Sequence, residues 1–486
     1  MNEWSKDFNN ISLGVTLGNR VDTGQQVFQF NEDRFRHTIV IGRTGSGKSN
    51  HVLQMEREDI RSGAGLAIIA AHEEDAVYPL TWVPEDRMND VCLIDASNTA
   101  YLPRLNPLAV DRNDPDAVDK AIADSIELLT TGEYYQWAGT RFKQFVRTGL
   151  QLMLHPRFPD EPHLALLGRL YTDPDYVRYC LDCCDDEDLR TLWRTEASAR
   201  RSSDHEDAVQ RFLAKVERIT GSEALRHMFG PGPSTIDMRR IVNEGKVLVA
   251  VIPEARIGAD AAEIISSYLL SQLHDAILSR GSAGGTTNGS AKRGPASDLG
   301  VFGSAPDGLE SLDPFFVYID EFGKFANPEF AGLLSESRKY HVGFVLSFQT
   351  LEQVNVFDKG TGAQSGLAAS VLGNVGTIIC YPLGVHDAAL LAGQLDVEQS
   401  KLKRIARYQP FASVCLDNQP SQLMSLAVGP KPIPERPSTA RRIARRQIGR
   451  RIWLSVEGER KKREQTDKGR FDDVFIADFG DIVYAA

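Results

Sequence analysis

The stretch from His37 to Ser49, HTIVIGRTGSGKS, decides how the rest of the chain is read. Its first half, Thr38 to Ile41, is a short apolar run of β-branched residues, the composition of a strand buried on both faces. Its second half, Gly42-Arg43-Thr44-Gly45-Ser46-Gly47-Lys48-Ser49, matches G-x-x-x-x-G-K-[ST]. Consecutive backbone N–H groups face inward around a phosphate only if the chain takes glycine torsions, here at Gly42, Gly45 and Gly47, and only if a helix begins where the loop ends. Lys48 then neutralises the β and γ phosphates, and the Ser49 hydroxyl ligates magnesium. The helix-compatible stretch from Asn50 to Arg61 follows in the required place.

Working outward, short apolar runs alternate with turns and helical patterns. ISLGVTL and QQVFQF precede the phosphate loop, and LAIIAA and DVCLIDA follow it, a strand–helix–strand rhythm that predicts a parallel α/β sheet. Between 111 and 232 the pattern changes to charged stretches of helical period, such as AVDKAIADSIELL and AVQRFLAKVERI, which predict an inserted all-α domain. The α/β rhythm resumes with KVLVAVIP, a helix over Ala261 to Leu278, FFVYID, a helix near Pro328 to Tyr340, VGFVLSF and GTIICYP. One core, 1–110 plus 233–430, is therefore interrupted by 111–232. It carries a Gly/Ser-rich loop at 281–312, and after the proline-rich GPKPIPERP comes a tail, 431–486.

Composition removes several classes. At 486 residues, 42% hydrophobic and 25% charged, the chain buries real cores and is not disordered as a whole. Six cysteines suit reduced thiols in the cytoplasm. Cys180, Cys183 and Cys184 lack a second ligand pair at zinc spacing and read as helix thiols. No apolar run approaches the roughly 20 residues of a spanning helix, and MNEWSKDFNN lacks the basic start of a secretory leader. The net charge of −11 argues against a general nucleic-acid coat, but residues 431–470 hold 14 Lys and Arg against five Asp and Glu. A basic tail on an acidic body is expected.

Phe315 to Glu321, FFVYIDE, reads as a buried strand ending in two carboxylates. At the tip of the strand next to the phosphate loop, Asp320 is placed to hold the magnesium shell and Glu321 to orient water for attack on a γ-phosphate. Gln349, after the apolar run Val342 to Phe348, is either a surface amide or a sensor of that phosphate. Arg338 sits at a basic helix end, which is either solvated and dipole-favourable or an arginine finger for a neighbouring subunit. His72, with acidic neighbours in AAHEED, reads as loop surface.

In order and spacing, HTIVIGRTGSGKS, DVCLIDASN…LNPL, EGKVLVAVIPEARIG, VYIDEFGKFANPEFAGLLSESRKYHVGFVLSFQTLEQ and LGNVGTIICYPLGVHDAALLAGQL resemble the type IV coupling proteins. These are the TraG/TraD-like ATPases of conjugation and type IV secretion, within the HerA/FtsK group of hexameric DNA-translocating ATPases. The resemblance, over most of 12–430, implies a RecA-like P-loop core and ATP with Mg2+ as cofactors. It also implies ATP-driven movement of DNA through a homo-hexameric ring, with the all-α domain at the ring's entrance. It casts Lys48 and Ser49 in the phosphate loop, Asp320 as metal ligand, Glu321 as catalytic acid–base, Gln349 as sensor and Arg338 as a finger acting in trans. Such proteins usually start with transmembrane helices, whereas here the motor starts almost at Met1. The expectation is thus a cytoplasmic protein, at most peripheral to the inner face of the membrane.

A rival from another class is an adaptor that uses nucleotide state to recruit a protein or relaxase cargo, and whose turnover would ignore DNA. In the tail, Arg441, Arg442, Arg445, Arg446, Arg450 and Arg451 recur at helical spacing, suited to a nucleic-acid backbone, to an acidic partner, or to a solvated helix with no partner. Phe471 to Ala486 alternates apolar and acidic groups and is expected to dock on another protein or a neighbouring subunit. A relaxase or secretion partner would use this tail or the all-α domain.

Overall fold

Apolar runs too long for one face of a sheet but too short for a spanning helix must pair with one another, and they do. The computed structural model describes residues 13–98, 102–130, 140–199, 203–283, 312–326, 330–355 and 366–454. A hairpin of β1 (Gly14–Arg20) and β2 (Gln26–Phe30) leads through a single turn, α1 (Asn31–Arg34), to β3 (Thr38–Ile41). Then come α2 (Lys48–Ser62), β4 (Gly65–Ala70), α3 (Glu73–Trp82) and β5 (Val91–Asp95). Helices α4 (Pro115–Thr130), α5 (Thr140–Leu154), α6 (Leu164–Thr172), α7 (Pro174–Cys183), α8 (Glu187–Ala199), α9 (Ser203–Gly221), α10 (Glu223–Met228) and α11 (Met238–Asn243) follow, without an intervening strand among the described residues.

Alternation then resumes. β6 (Val247–Val251), the turn α12 (Glu254–Ile257), the 25-residue α13 (Ala259–Ala283) and β7 (Phe315–Ile319) precede α14 (Phe330–Ser337), β8 (Val342–Phe348), α15 (Leu367–Asn374) and β9 (Thr377–Cys380). Last are α16 (Val385–Gln394), α17 (Gln399–Lys403), β10 (Phe411–Ser413), β11 (Cys415–Leu416), β12 (Gln419–Pro420), β13 (Met424–Ala427) and α18 (Pro437–Leu454). Most of the Gly/Ser-rich 281–312 stretch, from 284 to 311, lies outside the described residues, as does the apolar and acidic segment from Phe471 to Ala486.

Eleven strands form one sheet in the order β2-β1-β13-β10-β9-β3-β8-β7-β4-β6-β5. The seven from β9 to β5 are parallel, and β10, β13, β1 and β2 extend the β9 edge with antiparallel pairings. Strands β3, β4, β6, β7, β8 and β9 are buried at every position, the reason each reads as a continuous apolar run. The order corrects one expectation: the acid-tipped strand β7 is not next to the phosphate-loop strand β3, because β8 lies between them and pairs with both.

Neighbouring residues of β3 belong to different cores, as the two-residue period of a strand demands. Ile39 and Ile41 join a core that runs unbroken into the helices, through Phe145, Leu150, Phe212 and Phe229 to Leu269 on α13. Val40 joins the other core, with Val52, Trp82, Ile443 and Ala444. That second core revises the picture of a hanging basic tail over its first part. Thr439, Ala440, Ile443, Ala444 and Gln447 of α18 are buried, Gln447 Nε2 donates to Val91 O at 2.7 Å, and Trp82 Nε1 donates to Ile433 O at 3.0 Å.

A buried ion pair couples the phosphate-loop helix to the acid-tipped strand. Arg34 donates from Nη1 and Nη2 to the two Asp59 oxygens at 2.8 and 2.7 Å, and Tyr318 of β7 also hydrogen-bonds Asp59. Arg34 Cζ lies 3.5 Å from the Phe316 ring centroid. Both charges are almost fully withdrawn from solvent, so each needs the other.

Candidate functional site at the phosphate loop

β3 delivers the chain to Gly42, Gly45 and Gly47 with φ of 154°, 73° and 116°, torsions that side chains resist. Space agrees with torsion: a Cβ on Gly42 would lie 2.5 Å from Tyr381 Cβ, and one on Gly47 would lie 2.7 Å from Tyr408 Cδ1. The loop is strapped from both sides, Gly42 N–H donating to Phe348 O at 3.4 Å and Arg43 N–H to Pro382 O at 3.0 Å. Ser46 Oγ closes it by donating to Arg43 O at 2.7 Å. Helix α2 then starts at Lys48 with no side chain capping its N-terminus, so the loop and helix amides form a positive concavity. Lys48 Nζ donates to Gly42 O and Arg43 O at 2.6 and 3.1 Å. Burial lowers its pKa, and the nearby Asp320 and Glu321 oppose that shift.

The acid pair comes to the same place from the far side of β8. Ser49 Oγ donates to Asp320 Oδ2 at 3.2 Å, and Asp320 Oδ1 accepts from Glu321 N–H at 3.0 Å. These hard oxygens are the kind of donor set an oxygen-preferring cation such as magnesium takes, with water and phosphate completing its shell. Glu321 turns the chain in the left-handed region, φ 53° and ψ 43°, an uncommon conformation that tends to cluster at functional positions. Burial pushes its carboxyl up, but the Lys324 ammonium at 2.6 Å and His72 Nε2 at 3.2 Å outweigh that and hold it below the ordinary value. His72 is exposed on its loop, as expected, and is also a neighbour of Glu321.

A cavity of about 690 Å³ gathers Thr44, Gly45, Gly47, Lys48, Ser49, Asp320, Glu321 and Gln349. Gly42, Arg43 and Ser46 serve as the frame of the loop. Gln349 stands at the carboxyl end of β8, its N–H donating to Gln353 Oε1 at 3.3 Å. Arg338 is elsewhere. It precedes β8, at the amino edge of the sheet, where Nη2 donates to Asn418 Oδ1 at 3.1 Å. Among the described residues, no group of three or more His, Cys, Asp or Glu side chains is arranged to hold a metal, and no helix is long and apolar enough to cross a membrane.

Sequence reasoning missed the opposite wall: Asn50, Arg407, Tyr408 and the strand end from Val428 to Lys431. No motif marks them: Asn50 lies on α2 just after Ser49, and the others reach the loop through the antiparallel extension of the sheet. A tyrosine among arginines in RIARYQP was the one available signal.

No protein-family model matches the chain, and no curated protein matches its sequence. Solved structures do match its fold. The plasmid coupling protein TrwB in complex with the GTP analogue GDPNP aligns at a TM-score of 0.52 and 14% identity, covering 87% of this chain and 91% of that one. TrwB with ADP and Mg2+ aligns at 0.52 and 14%, covering 88% and 93%. VirB4 of Thermoanaerobacter pseudethanolicus aligns at 0.53 and 13%, covering 87% and 99%. At such identities the likeness is one of fold, and the fold of this chain is the α/β P-loop architecture shared by TrwB and VirB4.

Proposed function

We propose that this chain is a P-loop ATPase that moves DNA through a ring of six copies, in the manner of the coupling ATPases of conjugation and type IV secretion. The observation that carries the reading is the convergence of Lys48, the Ser49–Asp320 pair and Glu321 in one cavity. The neighbours' ligands support the choice of substrate, since TrwB has been solved with ADP and Mg2+ and with ATP and GTP analogues. Bound between Ser49 and Asp320, Mg2+ would supply charge neutralisation at the β and γ oxygens.

The remaining steps belong to the chain. Lys48 and the amides of the loop bind and orient the phosphates. Glu321, ionised by virtue of Lys324 and His72, holds the proton of the attacking water, and Gln349 reads the γ end. Arg338 serves a neighbouring copy. The seven-residue β8 spans about 23 Å at the usual rise per residue, too far for Arg338 to reach its own cavity. Relaxase or secretion partners would use the all-α region or the C-terminal segment.

The test is Glu321→Gln. It should bind ATP and hydrolyse it at least about a hundredfold more slowly, the scale of lost general-base help, while wild-type turnover in this variant would sink the assignment. Duplex and single-stranded DNA should each be added to the wild-type assay: stimulation of ATPase rate supports a motor, and turnover indifferent to both supports a nucleotide-switched adaptor instead.

A further inference from the structure

The cavity has two unlike walls. Asp320, Glu321, His72 and Asp75 stand on the β7–β4 side, whereas Arg407, Tyr408 and Val428 to Lys431 stand beyond β9 and bring no carboxylate to the cavity. A triphosphate held by Lys48 with its terminal phosphate toward the acids must extend away from them, past Asn50, to the second wall. We propose that this second wall, Arg407 and Tyr408 with the backbone of Val428 to Pro430, receives the nucleobase and ribose. It makes the site selective for a nucleoside triphosphate over bare polyphosphate. This rests on the reading of the cavity as a triphosphate site.

The wall is built, not incidental. Tyr408 sits in the left-handed region at φ 61°, with its N–H directed to Ser46 O at 3.5 Å and its carbonyl accepting from Val428 N–H at 3.2 Å. The strand end is clamped to α2: Asn50 Nδ2 donates to Gly429 O at 2.9 Å, and Gln54 Nε2 donates to Gly429 O and Pro430 O at 2.8 and 2.9 Å. Yet Tyr408, its ring set against Gly47, remains 40% exposed as a residue, more than a tyrosine kept for packing needs. The Arg407 guanidinium lies 4.8 Å from its centroid. An aromatic ring backed by a cation, with a free edge on a phosphate cavity, offers stacking and cation–π attraction to any base.

Calorimetry of the full chain with Mg-ATP and with Mg-tripolyphosphate tests this. The wild type should prefer ATP about tenfold or more, the scale of one base–aromatic stack. Tyr408→Ala should erase most of that preference by weakening ATP while tripolyphosphate binding holds, and Tyr408→Phe, which keeps the ring, should restore it. Arg407→Ala, a change at an exposed residue that still decides the matter if Tyr408→Ala folds poorly, should reduce the preference about threefold. Equal weakening of both ligands by Tyr408→Ala would show that the ring only supports the loop, and an intact ATP preference in both alanine variants would also overturn the proposal. Wild-type protein that binds neither ligand has a different signature and defeats the triphosphate reading itself.

Discussion

The two ends of strand β8 make a useful comparison. At its carboxyl end, Gln349 joins Lys48, Ser49, Asp320 and Glu321 around one cavity, where glycine torsions and a helix N-terminus turn backbone amides inward. At its amino end, Arg338 and Arg36 both donate to one neutral oxygen, Asn418 Oδ1, at 3.1 and 2.9 Å. Asn418 is held in turn by its own N–H donating to Asp33 Oδ1 at 2.8 Å. One end concentrates anion-binding amides and the acids that offset them; the other presents guanidinium groups on a neutral acceptor. Residues close in sequence can thus take unrelated roles, because a parallel sheet sends the carboxyl ends of all its strands to one edge.

The sharpest way to break this comparison is to ask whether the two ends ever meet. Lys48→Ala should abolish ATP binding. Arg338→Ala should keep ATP binding and lose turnover about a thousandfold or more, the lower range for an arginine finger. Co-assembled mixtures of the two variants should recover activity in a steady-state ATPase assay, since some interfaces would pair an intact arginine with an intact loop. If no mixing ratio restores turnover in mixtures shown to co-assemble, the arginine acts within its own chain or only structurally.

Next in size is the link between α2 and β7. Arg34→Met leaves Asp59 buried without its partner and should cost about 3–5 kcal/mol. Urea unfolding measures this; a loss under about 1 kcal/mol would mean that the pair does not couple the loop helix to the acid strand.

A smaller effect concerns His37, which leads into β3. Its Nδ1 accepts from Phe344 N–H at 3.2 Å, so Nε2 carries the proton facing Leu334 O at 2.8 Å, and the ring is neutral. Burial pushes its pKa down to about 4, as it does for His51. Because the folded values lie below the ordinary 6.5, the unfolded chain takes up protons first as pH falls. Stability is therefore full above pH 6.5 and is lost on descending toward pH 4, at about 1.4 kcal/mol per pH unit for each histidine. Between pH 7 and pH 5, His37→Gln should lose less stability than the wild type, by up to about 1.4 kcal/mol per pH unit, as urea unfolding at the two pH values would show; an identical pH dependence in the two proteins would assign it to other groups.

The smallest effect concerns α18. Thr439, Ala440, Ile443, Ala444 and Gln447 are buried, so deletion from residue 437 would remove core along with charge. Substitution is the cleaner probe. Changing Arg445, Arg446, Arg450 and Arg451 to Gln should flatten the dependence of duplex-DNA affinity on salt, by about 0.9 in log–log slope for each phosphate that an arginine had neutralised. An unchanged slope would assign these arginines to a protein partner or to no partner.

What could be read without coordinates was whatever is enforced locally. A loop that must place glycine at Gly42, Gly45 and Gly47 announces itself, because torsion is a property of single residues. The strands β3, β4, β6, β7, β8 and β9 were legible for a related reason: burial on both faces keeps each run almost wholly apolar, with Thr38, Ser347 and Thr377 as small polar exceptions. The four short strands from Phe411 to Ala427 were not, since runs such as FAS and MSLA carry no period long enough to register. Nor was the pairing of His72 with Glu321, two side chains from separate loops.

The sequence by itself determined the chemistry of the phosphate loop, the acids at the end of β7 and the α/β class, all consequences of local torsion and hydrophobic pattern. Tertiary structure alone decided that β8 separates β3 from β7, that Arg338 lies a strand's length from its own cavity, that α18 covers the second core, and that Tyr408, with Arg407 beside its ring, stands over Gly47. These are facts of strand order and long-range packing, chosen by which buried surfaces fit together, and no single stretch of chain carries them.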